Sequence, residues 1–124
     1  MAKSSPTQRA LADLRSLGFV AQTVERWNPH AKVRQDLFGC IDIVAVREGC
    51  GILGVQACAG GDHAARRAKS LAEPRLRAWL AAGGRFEVFS YAKRGGRGER
   101  KRWQLRREEI TADDLPAEPL EVTA

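Results

Sequence analysis

The chain has 124 residues, of which 44% are hydrophobic and 29% charged, and its formal net charge is +6. This is an ordinary composition for one globular domain with a core of its own. No apolar run approaches the roughly 20 residues that a membrane-spanning helix needs, so we expect no membrane partner. The excess of positive charge instead favours a polyanionic partner, above all nucleic acid.

Cysteine usage and the first residues bear on the compartment. Cys40, Cys50 and Cys58 are odd in number and show no CxxC spacing. We therefore interpret them as small buried hydrophobic residues of a reducing compartment, not as zinc ligands or disulfides. The N-terminus lacks the apolar segment of a signal peptide, which predicts a cytoplasmic protein. We expect one domain over residues 1–110 and an acidic, frayed tail over residues 111–124.

The chain opens with a helix and a strand. The run Ser-Pro-Thr-Gln at residues 5–8 supplies an N-cap, a proline at the first helical position and a glutamine three residues after the cap. It predicts a helix over residues 5–17, which Gly18 ends. Aromatic and β-branched residues predict a strand over 19–26. The following Trp-Asn-Pro-His run breaks the pattern and predicts a loop.

A hairpin with polar residues inside it follows. Residues 41–46 and 52–58 are short apolar runs joined by a glycine-containing turn, and neither alternates cleanly, so both faces of the sheet should be covered. A buried carboxylate at Asp42 needs a partner, a raised pKa or a metal. If Asp42 shares a face with Gln56, the two form an oxygen cluster that Asp36 is close enough in sequence to join. Such ligands suit Mg²⁺.

The second half of the chain contains helices and another pair of strands. We predict helices over 63–71 and 74–82, strands over 85–92 and 103–107, and a short helix over 108–115. The order α-β-β-β-α-β-β predicts an α/β fold with a mixed central sheet flanked by helices. The loop between the last two strands is rich in glycine, arginine and lysine, which suits non-specific phosphate contact.

The central hairpin resembles the core of a known nuclease superfamily. Ile-Asp-Ile-Val-Ala at 41–45, a glycine turn and Leu-Gly-Val-Gln-Ala-Cys at 53–58 are similar to the PD-(D/E)XK nucleases, above all to the Holliday-junction-resolvase-like and small phage-associated branch. That signature places an Asp at the end of one strand and an acid-x-Lys on the next. Asp42 matches the Asp, whereas Gln56 and Cys58 stand where the acid and the lysine are expected. The second half of the motif is therefore degenerate.

The resemblance implies a restriction-endonuclease-like core and a cytoplasmic, metal-dependent endonuclease that hydrolyses DNA phosphodiesters, with branched DNA among its possible substrates. Asp42 is the principal ligand for Mg²⁺ or Mn²⁺. Asp36 or Gln56, with the carbonyl of Ala57, completes the implied site. Lys69 on the following helix, with the shorter-reaching Arg66 and Arg67 as further candidates, is the implied replacement for the missing lysine, and a solvated helix face is the alternative. The implied catalytic residues are therefore Asp42, Gln56 and Lys69.

The resemblance also implies further candidates. Glu25 is a candidate additional acid, with a surface glutamate as the alternative, and His63 is a candidate general base or phosphate contact, with a plain structural role as the alternative. Homodimers are common among resolvase-like relatives. The expected nucleic-acid contacts are Lys32, Arg34, Arg66, Arg67, Lys93, Arg94, Arg97, Arg100, Lys101 and Arg102.

Two other functions stay open. With Gln56 and Cys58 in the motif, the chain fits a catalytically degenerate nucleic-acid-binding module on the same fold. It also fits a basic accessory or structural subunit. An enzyme should bring Asp42, another carboxylate and a lysine within reach of one metal ion. A binding module should let Asp42 pair with an arginine, and an accessory subunit should show a large apolar surface.

Overall fold

The structure is a computed structural model that describes residues 5–117. Three helices and seven strands are formed within this range, together with short 3-10 turns at Gly60–Asp62 and Ala112–Asp114. The helices are α1 (Pro6–Ser16), α2 (His63–Ala72) and α3 (Pro74–Ala81). The strands are β1 (Val20–Thr23), β2 (Arg26–Asn28), β3 (Val33–Gln35), β4 (Ile43–Arg47), β5 (Gly51–Ala59), β6 (Arg85–Arg94) and β7 (Arg102–Ile110).

Five strands form one mixed sheet in the order β1-β4-β5-β6-β7. Neighbouring strands are antiparallel except β5 and β6, which run parallel because α2 and α3 carry the chain across between them. The predicted α/β class with a mixed sheet and helices is confirmed. Among the residues described, no helix combines the length and the apolar character that crossing a membrane requires.

Helix α1 covers one face of the sheet. Ser5 and Gln8 form the predicted capping box, and the chain leaves the helix through Gly18 at a φ of 90°. Leu14 is fully buried and packs into one cluster with inward-facing side chains of the sheet, among them Ile43 and Phe89. This layer fixes β4 and β5 from one side.

Helices α2 and α3 cover the opposite face. Cys58, Phe86 and Val88 from the sheet pack there with Leu76 of α3. Because side chains alternate along a strand, Gln56 lies on the same face as Cys58. Gly54 is required on this face, since a Cβ there would stand 2.9 Å from a methyl carbon of Ile41. The face that carries Gln56 is therefore closely packed apart from the polar groups described below.

Three strands differ from the sequence-based prediction, namely β2, β3 and the last part of β7. The segment predicted as a loop after the first strand contains β2 and β3, which pair with each other as a separate hairpin. The predicted helix over 108–115 is wrong, because β7 continues to Ile110 and a 3-10 turn follows. Ile110 is 1% exposed opposite Phe86, so burial against β6 overrides the polar local sequence. The predicted tail is described only as far as residue 117, and residues 118–124 lie outside the described range.

The β2–β3 hairpin and the β6–β7 hairpin extend from the same end of the five-stranded sheet. The register places Thr23, Ile43 and Val55 in one row across β1, β4 and β5. The chain leaves that row for the β2–β3 hairpin and returns to it afterwards. The β6–β7 ladder passes the row and continues to the pair of Arg94 and Arg102. Two hairpins with many cationic side chains thus flank the carboxyl end of β5.

Candidate metal centre

Asp42 lies immediately before β4 and continues its pairing with β5. Its backbone N–H donates to the carbonyl oxygen of Val55 over 2.8 Å. Since Ile43 is opposite Val55, Asp42 is opposite Gln56 on the face that α2 covers. The sequence left open whether Asp42 and Gln56 share a face, and the structure shows that they do, with a 2.8 Å hydrogen bond from Gln56 Nε2 to Asp42 Oδ2.

Three carboxylates come together at this point. Glu25, Asp36 and Asp42 each offer an oxygen within 4.8 Å of the others. Glu25 directly precedes β2 and Asp36 directly follows β3, so each base of the small hairpin supplies one acid. The sequence suggested both residues individually, but not that a hairpin holds them together. The only sequence signal for their joint placement is indirect, since Glu25 and Asp36 flank a short segment that begins and ends beside the central strands.

Asp42 is buried at 4% exposure. Burial raises the pKa of its carboxyl to about 8, and a hydrogen bond to Asp36 acts in the same direction. The N–H of Ala57, which donates to Asp42 Oδ2 over 2.8 Å, opposes this rise. The group of Ala57 that contacts Asp42 is thus the amide, whereas the implied metal ligand is the carbonyl. Asp42 thus accepts hydrogen bonds from two donors, while burial and the neighbouring acids favour the protonated form of its carboxyl group.

Gln56 leaves one polar atom without a partner. Its side chain is 2% exposed, and its Oε1 accepts no hydrogen bond from residues 5–117. An unsatisfied buried acceptor costs about 1–3 kcal/mol. The orphan oxygen belongs to the amide group that binds Asp42, so it lies beside the carboxylate cluster. The cluster therefore offers a neutral oxygen as well as three acids.

This donor set fits a hard divalent cation. Carboxylate and amide oxygens are the ligands that Mg²⁺ and Mn²⁺ prefer, and Mg²⁺ commonly takes few protein ligands and keeps waters. A cation would relieve the repulsion among the three acids and give Gln56 Oε1 a partner. Cys58, which stands where the resemblance leads one to expect a lysine, is 4% exposed, and burial raises the pKa of its thiol, so it stays neutral.

Lys69 on α2 supplies a cation at this cluster. Its Nζ is 4.0 Å from Asp36 Oδ2, and its side chain is half exposed. The structure thus brings Lys69 to the acids, where sequence reasoning sought a substitute for the strand lysine. Arg34 on β3 also approaches, at 3.9 Å from Glu25, whose other neighbour is the hydroxyl of Thr7 at 3.3 Å. Both cations are free enough of protein contact to meet an anionic ligand.

His63 serves a separate polar network. The ring is 2% exposed, its Nδ1 is 2.6 Å from Ser90 Oγ, and its Nε2 is 2.8 Å from Glu108. Arg67 donates to the same Glu108 over 2.8 Å and lies 3.6 Å from Asp114. These bonds tie α2 to β6 and β7. They engage both ring nitrogens of His63 and most of the guanidinium of Arg67, which favours structural roles for both residues.

The other predicted nucleic-acid contacts lie around the two hairpins. Lys32 is at the tip of the β2–β3 hairpin with a φ of 55°, and Arg66 is half buried one turn before Lys69. All the remaining candidates except Arg97 line an open cavity of about 860 Å³ at the tip of the β6–β7 hairpin, and Arg97 lies in the loop that joins the two strands. The cavity is lined by Lys93, Arg94, Gly95, Gly96, Glu99, Arg100, Lys101, Arg102 and Gln104.

Comparisons with known proteins add nothing to this geometry: no family model, no curated protein and no solved structure matches the chain.

The stability of the protein without divalent cations should fall as the pH rises towards 8. Asp42 has a pKa of about 8 in the folded state against 3.8 as its ordinary value, so the folded state binds one more proton between these pH values. Its contribution is complete below about pH 4 and is lost by about pH 8, on the order of 5 kcal/mol in total. Urea denaturation from pH 5 to pH 8.5 in EDTA measures this slope.

The Asp42→Asn variant is the control for that slope. The pKa values of Glu73 and Glu108 are lowered by their partners, so their stabilisation is already complete above about pH 5. The variant should therefore give a flatter curve over this window. If wild type and variant lose stability in parallel, the carboxyl of Asp42 is not the group that titrates.

Proposed function

We propose that the protein is a metal-dependent nuclease that hydrolyses phosphodiester bonds in DNA, and that its sheet is the restriction-endonuclease-like core of the PD-(D/E)XK nucleases. The observation that carries this proposal is the acidic cluster itself. Three carboxylates offer oxygens within 4.8 Å of one another, the amide that carries the unpartnered Gln56 Oε1 donates to one of them, and the ammonium of Lys69 lies 4.0 Å from another. Structural ion pairs rarely leave a buried acceptor unsatisfied.

Each side chain of the cluster has a separate role in the proposed reaction. Asp42, with Asp36 and Glu25, would hold the cation, and the amide of Gln56 would supply a neutral ligand. A bound Mg²⁺ or Mn²⁺ would polarise a phosphoryl oxygen and lower the pKa of water enough to supply a nucleophile at neutral pH. The donors Gln56 Nε2 and Ala57 N–H fix the orientation of Asp42 Oδ2. Lys69 is placed to stabilise negative charge that develops on the phosphate.

The arrangement favours catalysis over the binding-module alternative. In a binding module the carboxylate of Asp42 would pair with an arginine, but its partners here are Gln56, Ala57 and Asp36. The substitution of Gln56 for the family acid removes one negative charge, and Glu25 brings one back from another element. The site thus keeps three carboxylates although the second half of the motif is degenerate.

The direct test is cleavage of linear, supercoiled and four-way-junction DNA with Mg²⁺ or Mn²⁺, with EDTA as the negative control. We expect cleavage that EDTA abolishes, and calorimetric binding of Mn²⁺ in the absence of DNA. Asp113→Asn is the matched control for Asp42→Asn. It makes the same change of acid to amide at an exposed carboxylate of the 3-10 turn Ala112–Asp114 and leaves the cluster intact. Salt-sensitive DNA binding without cleavage would instead identify a degenerate binding module.

A further inference from the structure

The two faces of the β6–β7 hairpin are chemically different. Even-numbered residues of β6 face α2, because Val88 packs with Cys58 and Ser90 binds His63. The register carries this face onto the even-numbered residues of β7. On it lie Arg94, Arg102, Gln104 and Arg106. Lys93 and Trp103 face the other way, towards Arg9 of α1, whose guanidinium lies 3.7 Å from the Trp103 ring centre.

The arginines on the Asp42 face keep an unbalanced positive charge. Arg94 and Arg102 are directly opposite each other, and like charges in such pairs destabilise a sheet. Within residues 5–117 neither guanidinium has a carboxylate within 4.0 Å. Arg106 lies 3.7 Å from Glu108, a carboxylate that His63 and Arg67 already share. An anionic ligand would relieve this repulsion.

A groove runs between this face and the start of α2. Its cavity has a volume of about 360 Å³, and small residues form its floor. A Cβ at Gly60 would stand 2.8 Å from the Cβ of Ala92, so the turn before α2 lies directly against the hairpin. The cavity is lined by Gly60, Ser90, Ala92, Arg94, Gln104, Leu105 and Arg106. We name it the hairpin groove.

We propose that the hairpin groove binds the phosphodiester backbone of a nucleic acid on one side of the cleavage point, and that its phosphate contacts are Arg94 and Arg106 of the lining together with Arg102, which lies opposite Arg94 beside the groove. This inference rests on the proposed function. Guanidinium groups match phosphate oxygens in pairs, and a shallow groove with small floor residues lets a backbone approach. Arg106 was not among the residues suggested by the sequence, and Lys93 lies outside the groove.

The register also sets a distance. Gln56 is opposite Val88, and Arg94 lies further along the same strand. At about 3.3 Å per residue, the tip of the groove is about 20 Å from the acidic cluster. Successive phosphates rise about 3.4 Å along a duplex strand, so about six nucleotides span this distance. Cleavage should therefore need about six nucleotides on one side of the scissile phosphate, always the 5′ side or always the 3′ side. It should need no such length on the other side.

The test compares binding of 20-base-pair DNA and RNA duplexes by fluorescence anisotropy in EDTA. The Arg94→Gln/Arg102→Gln variant should bind at least one duplex about 10- to 100-fold more weakly at low salt. The slope of log K against log salt should fall in magnitude by about two, one unit for each lost phosphate contact. Arg47→Gln/Arg77→Gln removes the same charge at the far end of β4 and on α3, away from the groove, and should keep the wild-type slope.

Three results of the binding assay would overturn the groove: no duplex binding by the wild type, an unchanged slope in the Arg94→Gln/Arg102→Gln variant, or an equal loss in the control variant. Cleavage is scored separately. Binding with the expected slope but without cleavage would refute the nuclease and leave the groove standing. Cleavage, combined with a salt slope that does not change in the Arg94→Gln/Arg102→Gln variant, would refute the groove and leave the nuclease standing. Cleavage mapped on end-labelled duplexes should stop about six nucleotides from one end, and equal approach to both ends contradicts the groove.

Discussion

The Asp42→Asn variant should fold, lose Mn²⁺ binding and cleave DNA at least about 1,000-fold more slowly than the wild type. Asparagine keeps a side-chain oxygen that can accept the N–H of Ala57, so the local geometry survives. It removes the carboxylate of the cluster that is buried most deeply. Metal ions contribute several kcal/mol of charge stabilisation in the transition state, and about 4 kcal/mol corresponds to about 1,000-fold in rate.

The same variant should be more stable than the wild type above about pH 7 in EDTA. Its amide carries no charge, whereas burial and Asp36 make ionisation of Asp42 costly. Gain of stability with loss of activity distinguishes a functional carboxylate from a structural one, whose removal would cost both. Calorimetry with Mn²⁺, urea denaturation and a cleavage assay on one preparation check the three expectations. A variant that still binds Mn²⁺ as the wild type does would exclude Asp42 as principal ligand.

Much of the fold follows from local sequence signals. The capping box at Ser5, the glycines of the β4–β5 turn and the proline that begins α3 each act over a few residues, so their effects are readable without tertiary structure. The errors fall where distant pairing decides. β7 continues through Glu108 because Glu108 pairs with Val88 of β6 and is held by His63 and Arg67 of α2.

The candidate site was predictable in part for the same reason. Asp42 and Gln56 stand out because polar residues in apolar strands need a partner, but only the register of β4 on β5 decides that they share a face. Glu25 carries no such signal, since a glutamate at the end of a strand is usually solvated. Only the β2–β3 pairing brings Glu25 to Asp36, and three-residue strands leave almost no pattern in the sequence.

Asp62 shows the limit of motif reading at single residues. Its position before α2 predicts an N-cap, and it does occupy that position, yet its side chain makes no capping hydrogen bond. The turn Gly60–Asp62 instead packs against β6 through Gly60, whose backbone approaches Ala92. Close approach of this turn to the hairpin creates the hairpin groove, and neither residue alone indicates it.

Lys69→Ala should lower kcat for DNA cleavage by about 100- to 1,000-fold while Mn²⁺ binding stays as tight as in the wild type or becomes tighter. Loss of one preorganised donor to developing charge costs this much in other enzymes. The ammonium lies 4.0 Å from Asp36 Oδ2, so its removal also removes a like charge from the neighbourhood of the cation. A merely structural lysine would not combine slower chemistry with undiminished metal affinity.

Two further variants separate this role from general attraction of DNA. Lys69→Arg keeps the charge but changes its geometry, so it should restore only part of kcat. Arg66→Ala removes a cation one turn earlier on the same helix and should raise KM for DNA with little change in kcat. Steady-state kinetics on one duplex, with Mn²⁺ affinity measured in parallel, compares all three. If Lys69→Ala raises KM alone, or if Arg66→Ala matches it in kcat, then Lys69 binds substrate and the cluster obtains its catalytic cation from elsewhere.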